Sequence, residues 1–96
     1  MTTIKHQDKI ITIIKMFFPQ AKIYLFGSYA RGDYQRGSDI DIAIDAGERI
    51  PLGNKGQIMS MIDALNLIQN VDIVDFRAVP ADLQKKILEE GIEWKN

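Results

Sequence analysis

Residues 39–44 alternate strictly between two kinds of side chain, in the order Asp-Ile-Asp-Ile-Ala-Ile. Successive side chains of a β-strand point to opposite faces of a sheet, so this segment predicts a strand with two different faces. One face carries acidic or small residues and the other carries only isoleucine: Asp39, Asp41 and Ala43 against Ile40, Ile42 and Ile44. The isoleucine face is expected to join a core, and the acidic face is left for another purpose.

The two aspartates of this strand favour a metal site. Residues two apart on a strand lie roughly 6.5 Å from each other, so the carboxylates of Asp39 and Asp41 can reach one region. Two negative charges held close together raise the pKa of at least one carboxyl group, whereas a bound divalent cation keeps both groups ionised. We therefore predict that this pair binds metal.

A glycine-serine turn precedes the aspartate strand. Residues 22–26 form a β-branched and aromatic run, which predicts a buried strand, and Gly27 and Ser28 follow it. Backbone N–H groups and a hydroxyl in such a turn can bind phosphate oxygens. Asp39 and Asp41 can hold the Mg²⁺ that phosphates carry, so the turn and the carboxylates are candidates for one site.

The remaining sequence predicts a small α/β domain. Helical spacing of apolar residues, β-branched runs and the positions of Pro and Gly indicate its elements. In chain order they are a helix over Thr3–Phe18, a helical turn over Tyr29–Tyr34, a loop over Asp45–Asn54, a helix over Lys55–Ile68, a strand over Val71–Phe76, a helix between Pro80 and Gly91, and a short strand over Ile92–Trp94. We predict an α/β (α+β) fold with a small mixed sheet flanked by helices.

The connections within this sheet predict a third carboxylate. The helix over Lys55–Ile68 is the crossover that a parallel pair requires, so the second and third strands are expected to be parallel. Asp72, at the start of the third strand, then joins the aspartate pair, whereas Asp75 lies on the opposite strand face near the far end. The first strand must run antiparallel to the second, because only that arrangement puts the Gly27-Ser28 turn beside Asp39.

Most apolar side chains outside the strands are expected in the core. The expected core residues are Met16, Phe17 and Phe18, a stripe of Ile58, Met61, Ile62, Leu65 and Ile68, and a stripe of Leu83, Ile87 and Leu88. The tyrosines of the turn either pack there or stack on a base, namely Tyr29 and Tyr34. A last set lies either in the core or in an apolar surface that binds a partner: Leu52, Ile92 and Trp94.

Length and composition exclude several classes of protein. The 96 residues allow one domain, 1–96, and a net charge of −1 is not that of a protein that coats nucleic acid. The absence of cysteine excludes disulfides and thiolate metal sites. No apolar stretch approaches the roughly 20 residues that span a bilayer. The N-terminus is polar and lacks the apolar core of a signal peptide, so we expect a cytoplasmic protein.

The turn and the aspartate strand together resemble a known family. A Gly-Ser pair, ten intervening residues and Asp-x-Asp are similar to the motif of the minimal nucleotidyltransferases in the DNA polymerase beta superfamily. The resemblance implies the nucleotidyltransferase fold. It also implies that Asp39 and Asp41 bind two Mg²⁺ ions, that Asp72 helps to bind one of them, and that Gly27 and Ser28 hold the β- and γ-phosphates of a nucleotide.

Two further residues are candidates for the same site. Arg31 is placed to balance the charge of a triphosphate. Ser38 either positions the second strand or contacts phosphate.

The resemblance also implies a function. Many members of the family are antitoxins encoded beside a HEPN-domain toxin, so this chain is expected to transfer AMP from ATP to a tyrosine hydroxyl of such a partner, in a hetero-oligomer. The alternative is an inactive domain of the same fold that neutralises its partner by stoichiometric binding. Nucleotide addition to RNA or to a small molecule lacks support, because those enzymes generally carry extra substrate-binding domains.

Overall fold

The computed structural model describes residues 6–95, which form four helices and four strands. In chain order the elements are α1 (Gln7–Phe17), β1 (Lys22–Phe26), α2 (Ser28–Arg31), β2 (Ile40–Asp45), α3 (Leu52–Asp63), β3 (Val71–Asp75), α4 (Ala81–Glu90) and β4 (Ile92–Trp94). The predicted start of the first helix, Thr3–Lys5, lies outside the described residues. Within residues 6–95, no helix is both long and apolar enough to cross a membrane.

The four strands form one mixed sheet in the order β3-β2-β1-β4. β1 pairs antiparallel with both β2 and β4, and β2 pairs in parallel with β3. These pairings confirm the predicted topology, in which a helical crossover, α3, joins the two parallel strands. The short C-terminal strand is also confirmed and forms one edge of the sheet.

Each face of the sheet packs against helices. The isoleucine face of β2 joins the larger core, where fully buried residues of α1, β1 and α3 meet it: Ile10, Ile11, Ile14, Ile23, Leu25 and Ile58. The opposite face, which carries the aspartates, packs against α4 through Tyr24, Ala43, Phe76 and Ile87. α4 therefore covers part of the acidic face.

The position of α3 differs from the prediction. It begins at Leu52, three residues before the expected start, because Pro51 has the fixed φ of −57° that suits a helix start. It ends at Asp63 rather than Ile68, because Asn66 adopts the left-handed conformation with φ of +55°. Ile68 consequently lies beyond the helix and is 98% exposed, so its predicted burial is wrong.

Helix rotation and strand pairing decide the burial of five other apolar side chains. Met16 and Leu88 are 64% and 57% exposed, so their predicted burial is wrong. The buried residues of their two helices are Ile10, Ile11, Ile13 and Ile14 in α1 and Ile87 in α4. Trp94 is buried in the larger core, where β4 pairs with β1. Leu52 is exposed and Ile92 is half-buried.

Asp75 has a structural role at the end of β3. It is only 9% exposed, and its carboxylate accepts hydrogen bonds from the backbone N–H of Ile50, at 2.8 Å, and of Arg77, at 3.1 Å. The first bond spans 25 positions of sequence and fixes the loop that leads into α3. The carboxylate that the sequence placed away from the metal site is thus a buried loop anchor.

Asp45 forms a second anchor at the end of β2. Its carboxylate accepts hydrogen bonds from Arg77 Nε, at 2.7 Å, and Nη2, at 3.2 Å, and from the Gly47 N–H, at 2.9 Å. Burial acts to raise the pKa of Asp45, but the hydrogen bonds from Arg77 and Gly47 and the charge of Arg77 outweigh it. The pKa of this carboxyl group therefore lies below its ordinary 3.8.

We expect Asp75→Ala to lower the free energy of unfolding by about 2 kcal/mol, because the buried Ile50 N–H would lose its only side-chain acceptor in the described chain. Urea denaturation followed by circular dichroism measures the change. Asp63→Ala, which removes an exposed carboxylate at the end of α3, is the control and should shift stability by no more than about 0.5 kcal/mol. Equal effects of the two substitutions would contradict the role given to Asp75.

The Asp45 pair predicts a stability difference that depends on pH. A carboxyl group whose pKa is lower when folded stabilises the fold above its unfolded pKa, and this contribution disappears as pH falls through the folded pKa. Asp45→Asn should therefore unfold at a lower urea concentration than the wild type at pH 7. The difference between the urea concentrations at which the two proteins unfold should be modest, because Arg77 is 46% exposed. This difference should narrow below about pH 4. A difference in the urea concentration of unfolding that widens in acid would refute this account.

Candidate active site

The site is built at the end of the sheet where β1 finishes and β2 and β3 begin, which we call the site edge. In the strand register, Phe26 pairs with Asp41 and Asp41 pairs with Asp72. Asp41 therefore stands between the turn that follows β1 and the first residues of β3. Asp39 immediately precedes β2 at the same edge. The topology thus places at one edge of the sheet the three aspartates that the sequence singled out.

Gly27 lies directly against the central carboxylate. A Cβ atom built on Gly27 would overlap Oδ2 of Asp41, and Gly27 has a positive φ of +72°. Both the space and the backbone conformation exclude other residues, since a side chain is strained at this φ and has no room. The backbone of the turn and the carboxylate of β2 are therefore in contact.

A short helical turn follows Gly27 and holds Ser28 in place. The Gly27 carbonyl accepts hydrogen bonds from the N–H groups of Ala30 and Arg31, both at 3.1 Å. Gly32, with φ of +83°, ends α2, and its N–H donates to the Ser28 carbonyl at 3.0 Å. α2 is thus shorter than the predicted Tyr29–Tyr34 turn, and Ser28 is its first residue, next to the contact between Gly27 and Asp41.

Burial and neighbouring negative charges both act on Asp41. Burial raises the pKa of Asp41, and the negative charges of Asp72 and Asp39 raise it further, while Arg31 opposes the shift. Asp72, Asp39 and Arg31 are therefore all close enough to act electrostatically on Asp41. A divalent cation among the carboxylates would relieve this repulsion and keep Asp41 ionised.

The three aspartates fit Mg²⁺ by the chemistry of their donors. Hard carboxylate oxygens are the ligands that this ion prefers, and two of the three aspartates, Asp41 and Asp72, are direct partners in the strand register. Within residues 6–95, no three His, Asp or Glu side chains already stand close enough to form a metal-binding group. Asp39, Asp41 and Asp72 are the residues that would hold the ion.

Arg31 lies in a cleft on the other side of Gly27. The cleft has a volume of about 130 Å³ and separates the Gly27 turn from α4; we call it the α4 cleft. Its lining residues are Phe26, Gly27, Arg31, Leu83, Lys86, Ile87 and Glu90. The Arg31 guanidinium donates to Asp33 at 3.2 Å and lies 3.8 Å from Glu90. The sequence interpretation missed Lys86 and Glu90, although their spacing from Leu83 places them on one side of the helix.

Ser38 and the two tyrosines make their contacts within the segment that connects β1 to β2. The Ser38 hydroxyl accepts a hydrogen bond from the Gln35 N–H at 2.9 Å, and the Ser38 N–H donates to the Gln35 carbonyl at 3.0 Å. Tyr34 stacks on the buried Tyr29, with ring centroids 4.3 Å apart and planes 7° from parallel. Ser38 therefore orders the loop before β2, and the two tyrosines pack in the turn.

Comparison with known proteins agrees with this architecture. The family described as Polymerase beta, Nucleotidyltransferase, matches residues 8–94. The protein adenylyltransferase MntA of Shewanella oneidensis is 33% identical over 87 residues, which are 90% of this chain and 62% of MntA. The chain therefore spans less than two thirds of the length of that relative.

Solved structures of toxin-antitoxin complexes are similar to the chain. One, a toxin-antitoxin with AMP-PNP, superposes with a TM-score of 0.76 at 33% identity and covers 93% of this chain and 73% of that one. Another is the tri-AMPylated HEPN toxin of Shewanella oneidensis in complex with its MNT antitoxin, with a TM-score of 0.71, 28% identity and coverage of 96% and 71%. The predicted nucleotidyltransferase fold is confirmed. Since the family match runs through the Gly27 turn and all three aspartates, the chain belongs to the polymerase beta nucleotidyltransferase family.

Proposed function

We propose that this chain is a Mg²⁺-dependent adenylyltransferase, an antitoxin that transfers AMP from ATP to a tyrosine hydroxyl of a HEPN-domain toxin. The observation that carries the proposal is the contact between Gly27 and Asp41 at an edge where Asp41 also pairs with Asp72. A phosphate-binding backbone and metal-binding carboxylates must be this close to act on one nucleotide. The likeness to a toxin-antitoxin solved with AMP-PNP supports the choice of nucleotide.

Each site residue has a role in this reaction. Gly27 and Ser28 bind the β- and γ-phosphates, and the positive charge of Arg31 offsets part of the triphosphate charge. Asp39, Asp41 and Asp72 hold two Mg²⁺ ions. Bound there, the ions would supply positive charge that stabilises the negative charge on the attacking and leaving oxygens. Ser38 keeps the loop before β2 ordered, so that Asp39 stays beside Asp41.

The chemical step is an in-line displacement at the α-phosphorus. A bond forms between the acceptor oxygen and the α-phosphorus, the bond from the α-phosphorus to the oxygen bridging the β-phosphorus breaks, and pyrophosphate leaves. The hydroxyl proton passes to the carboxylate of Asp72, which is exposed to solvent on β3, an edge strand of the sheet. The products are an AMP-tyrosine ester and pyrophosphate.

The partner supplies the acceptor in this proposal. The matched relatives include an MNT antitoxin in complex with a tri-AMPylated HEPN toxin. We propose that this chain likewise forms a hetero-oligomer with a HEPN-domain protein in the cytoplasm. The exposed Leu52, at the start of α3, remains available for such a contact, whereas Trp94 is not, because it lies in the core.

Intact-mass spectrometry of the partner tests the proposal. The chain is incubated with ATP, Mg²⁺ and the protein encoded by the adjacent gene. A gain of AMP-sized mass on the partner, with fragment ions locating it on tyrosine, is expected. A stable complex without any mass change would instead show that the chain neutralises its partner by stoichiometric binding.

Removing the paired carboxylates should abolish transfer without unfolding the chain. We expect Asp39→Asn and Asp41→Asn each to lower the rate of AMP transfer by about 100-fold or more, because each loses a charged ligand for Mg²⁺. Asp41→Asn should not be less stable than the wild type, since the repulsion on Asp41 is relieved. Asp63→Asn, on the surface, is the matched control and should transfer AMP at the wild-type rate.

Gly27 and Gly32 form a matched pair for testing the contact at the site edge. Both have positive φ, +72° and +83°, but only a Cβ atom at Gly27 would meet another group. Gly32→Ala should lose about 1 kcal/mol from backbone strain. Gly27→Ala should lose more, because Gly27, with ψ of −153°, has a conformation that is essentially restricted to glycine. Only Gly27→Ala should also lose AMP transfer, by about 100-fold, because Asp41 must move away. Equal activity in the two variants, measured by partner mass against time, would argue against the assigned site.

A further inference from the structure

The α4 cleft continues the candidate active site beyond Gly27. Gly27 contacts Asp41 on one side and lines the cleft on the other. None of the three aspartates lines the cleft. A nucleotide whose α-phosphate lies at the carboxylates and whose phosphate chain crosses Gly27 therefore has its terminal phosphates at the mouth of this cleft.

The packing of α4 places Lys86 in the wall of the cleft. Ile87 is 1% exposed and, with Leu83, packs on the acidic face of the sheet against Tyr24 and Ala43. This packing fixes the rotation of the helix about its axis. Lys86, next to Ile87, lines the cleft together with Arg31, whereas Lys85 does not, and both lysines are exposed to solvent.

The charges of the cleft are unequal. It contains two cations, Arg31 and Lys86, and one anion, Glu90. Glu90 lies 3.8 Å from the Arg31 guanidinium, while Lys86 has no carboxylate within 4.0 Å among residues 6–95. The floor of Phe26, Leu83 and Ile87 is apolar, so a charge at its rim is less screened than in water. An anion that carries several negative charges would pair with the ammonium group of Lys86.

We propose that Lys86 binds the β- and γ-phosphates of the nucleoside triphosphate, together with Arg31, and holds the pyrophosphate as it leaves. This inference rests on the proposed function and adds a residue from α4 to the nucleotide site. Lys86 supplies charge to the leaving group, at the opposite end of the triphosphate chain from the acceptor. Glu90 restrains Arg31 in the absence of nucleotide, and its negative charge lowers the affinity of the cleft for anions.

Titration calorimetry with three ligands tests the proposal. The ligands are ATP, pyrophosphate and AMP, each with Mg²⁺, and the proteins are the wild type, Lys86→Ala, Lys86→Arg and the neighbouring control Lys85→Ala. Lys86→Ala should weaken binding of ATP and pyrophosphate by about 10-fold and leave AMP unchanged. Lys86→Arg should restore most of the affinity, and Lys85→Ala should stay within about twofold of the wild type.

Glu90→Gln provides a test in the opposite direction. It removes the one negative charge of the cleft and releases Arg31, so pyrophosphate should bind about threefold more tightly. A cleft that held a neutral group, such as a base or an acceptor side chain, would not gain affinity for pyrophosphate. Unchanged or weaker binding by this variant would overturn the assignment.

The binding and transfer measurements separate the role of Lys86 from the proposed function. If the wild type binds ATP but transfers no AMP to the partner, the transferase proposal fails, while the affinities of the Lys86 variants still test the phosphate contact. If Lys86→Ala binds ATP as the wild type does, or loses AMP affinity as strongly as ATP affinity, the role of Lys86 is wrong even where transfer occurs. A wild type that binds neither ATP nor pyrophosphate overturns both.

Discussion

The site depends on one close approach, that of the Gly27 backbone to the carboxylate of Asp41. This approach requires β1 and β2 to be antiparallel in a register that pairs Phe26 with Asp41. It also requires a residue without a side chain, because a Cβ atom would occupy the position of a carboxylate oxygen. The parallel pairing of β2 with β3 then adds Asp72, and the same three strands that build the core build the site.

The two faces of β2 have different roles: one packs in the larger core, and the other carries a carboxylate of the candidate site. Its isoleucines are buried between α1, α3 and the neighbouring strands, which makes the strand rigid. Its other face changes along its length: Ala43 packs under α4, whereas Asp41 lies beyond the end of that contact. The carboxylates are therefore carried on a well-packed strand while remaining accessible, and α4 both completes the second core cluster and forms a wall of the cleft.

Strand topology could be predicted from the sequence because alternation, turn residues and a crossover helix each restrict the alternatives. The placement of Asp39, Asp41 and Asp72 at one edge followed from that topology. Helix ends and rotations were harder, since the left-handed Asn66 ends α3 early and exposes Ile68, and a single position separates the buried Ile87 from the exposed Leu88. The α4 cleft could not be predicted, because it exists only once Ile87 packs across the sheet from Gly27.

Paramagnetic broadening of backbone amide signals by Mn²⁺ with ATP tests the single site most directly. Mn²⁺ replaces Mg²⁺ at carboxylate sites and broadens nearby amides with a steep dependence on distance. Broadening should centre on Gly27, Asp41 and Asp72 together and should be lost in Asp41→Asn. Broadening that is centred elsewhere in the chain, or that survives in the variant, would contradict a shared site for the phosphate turn and the carboxylates.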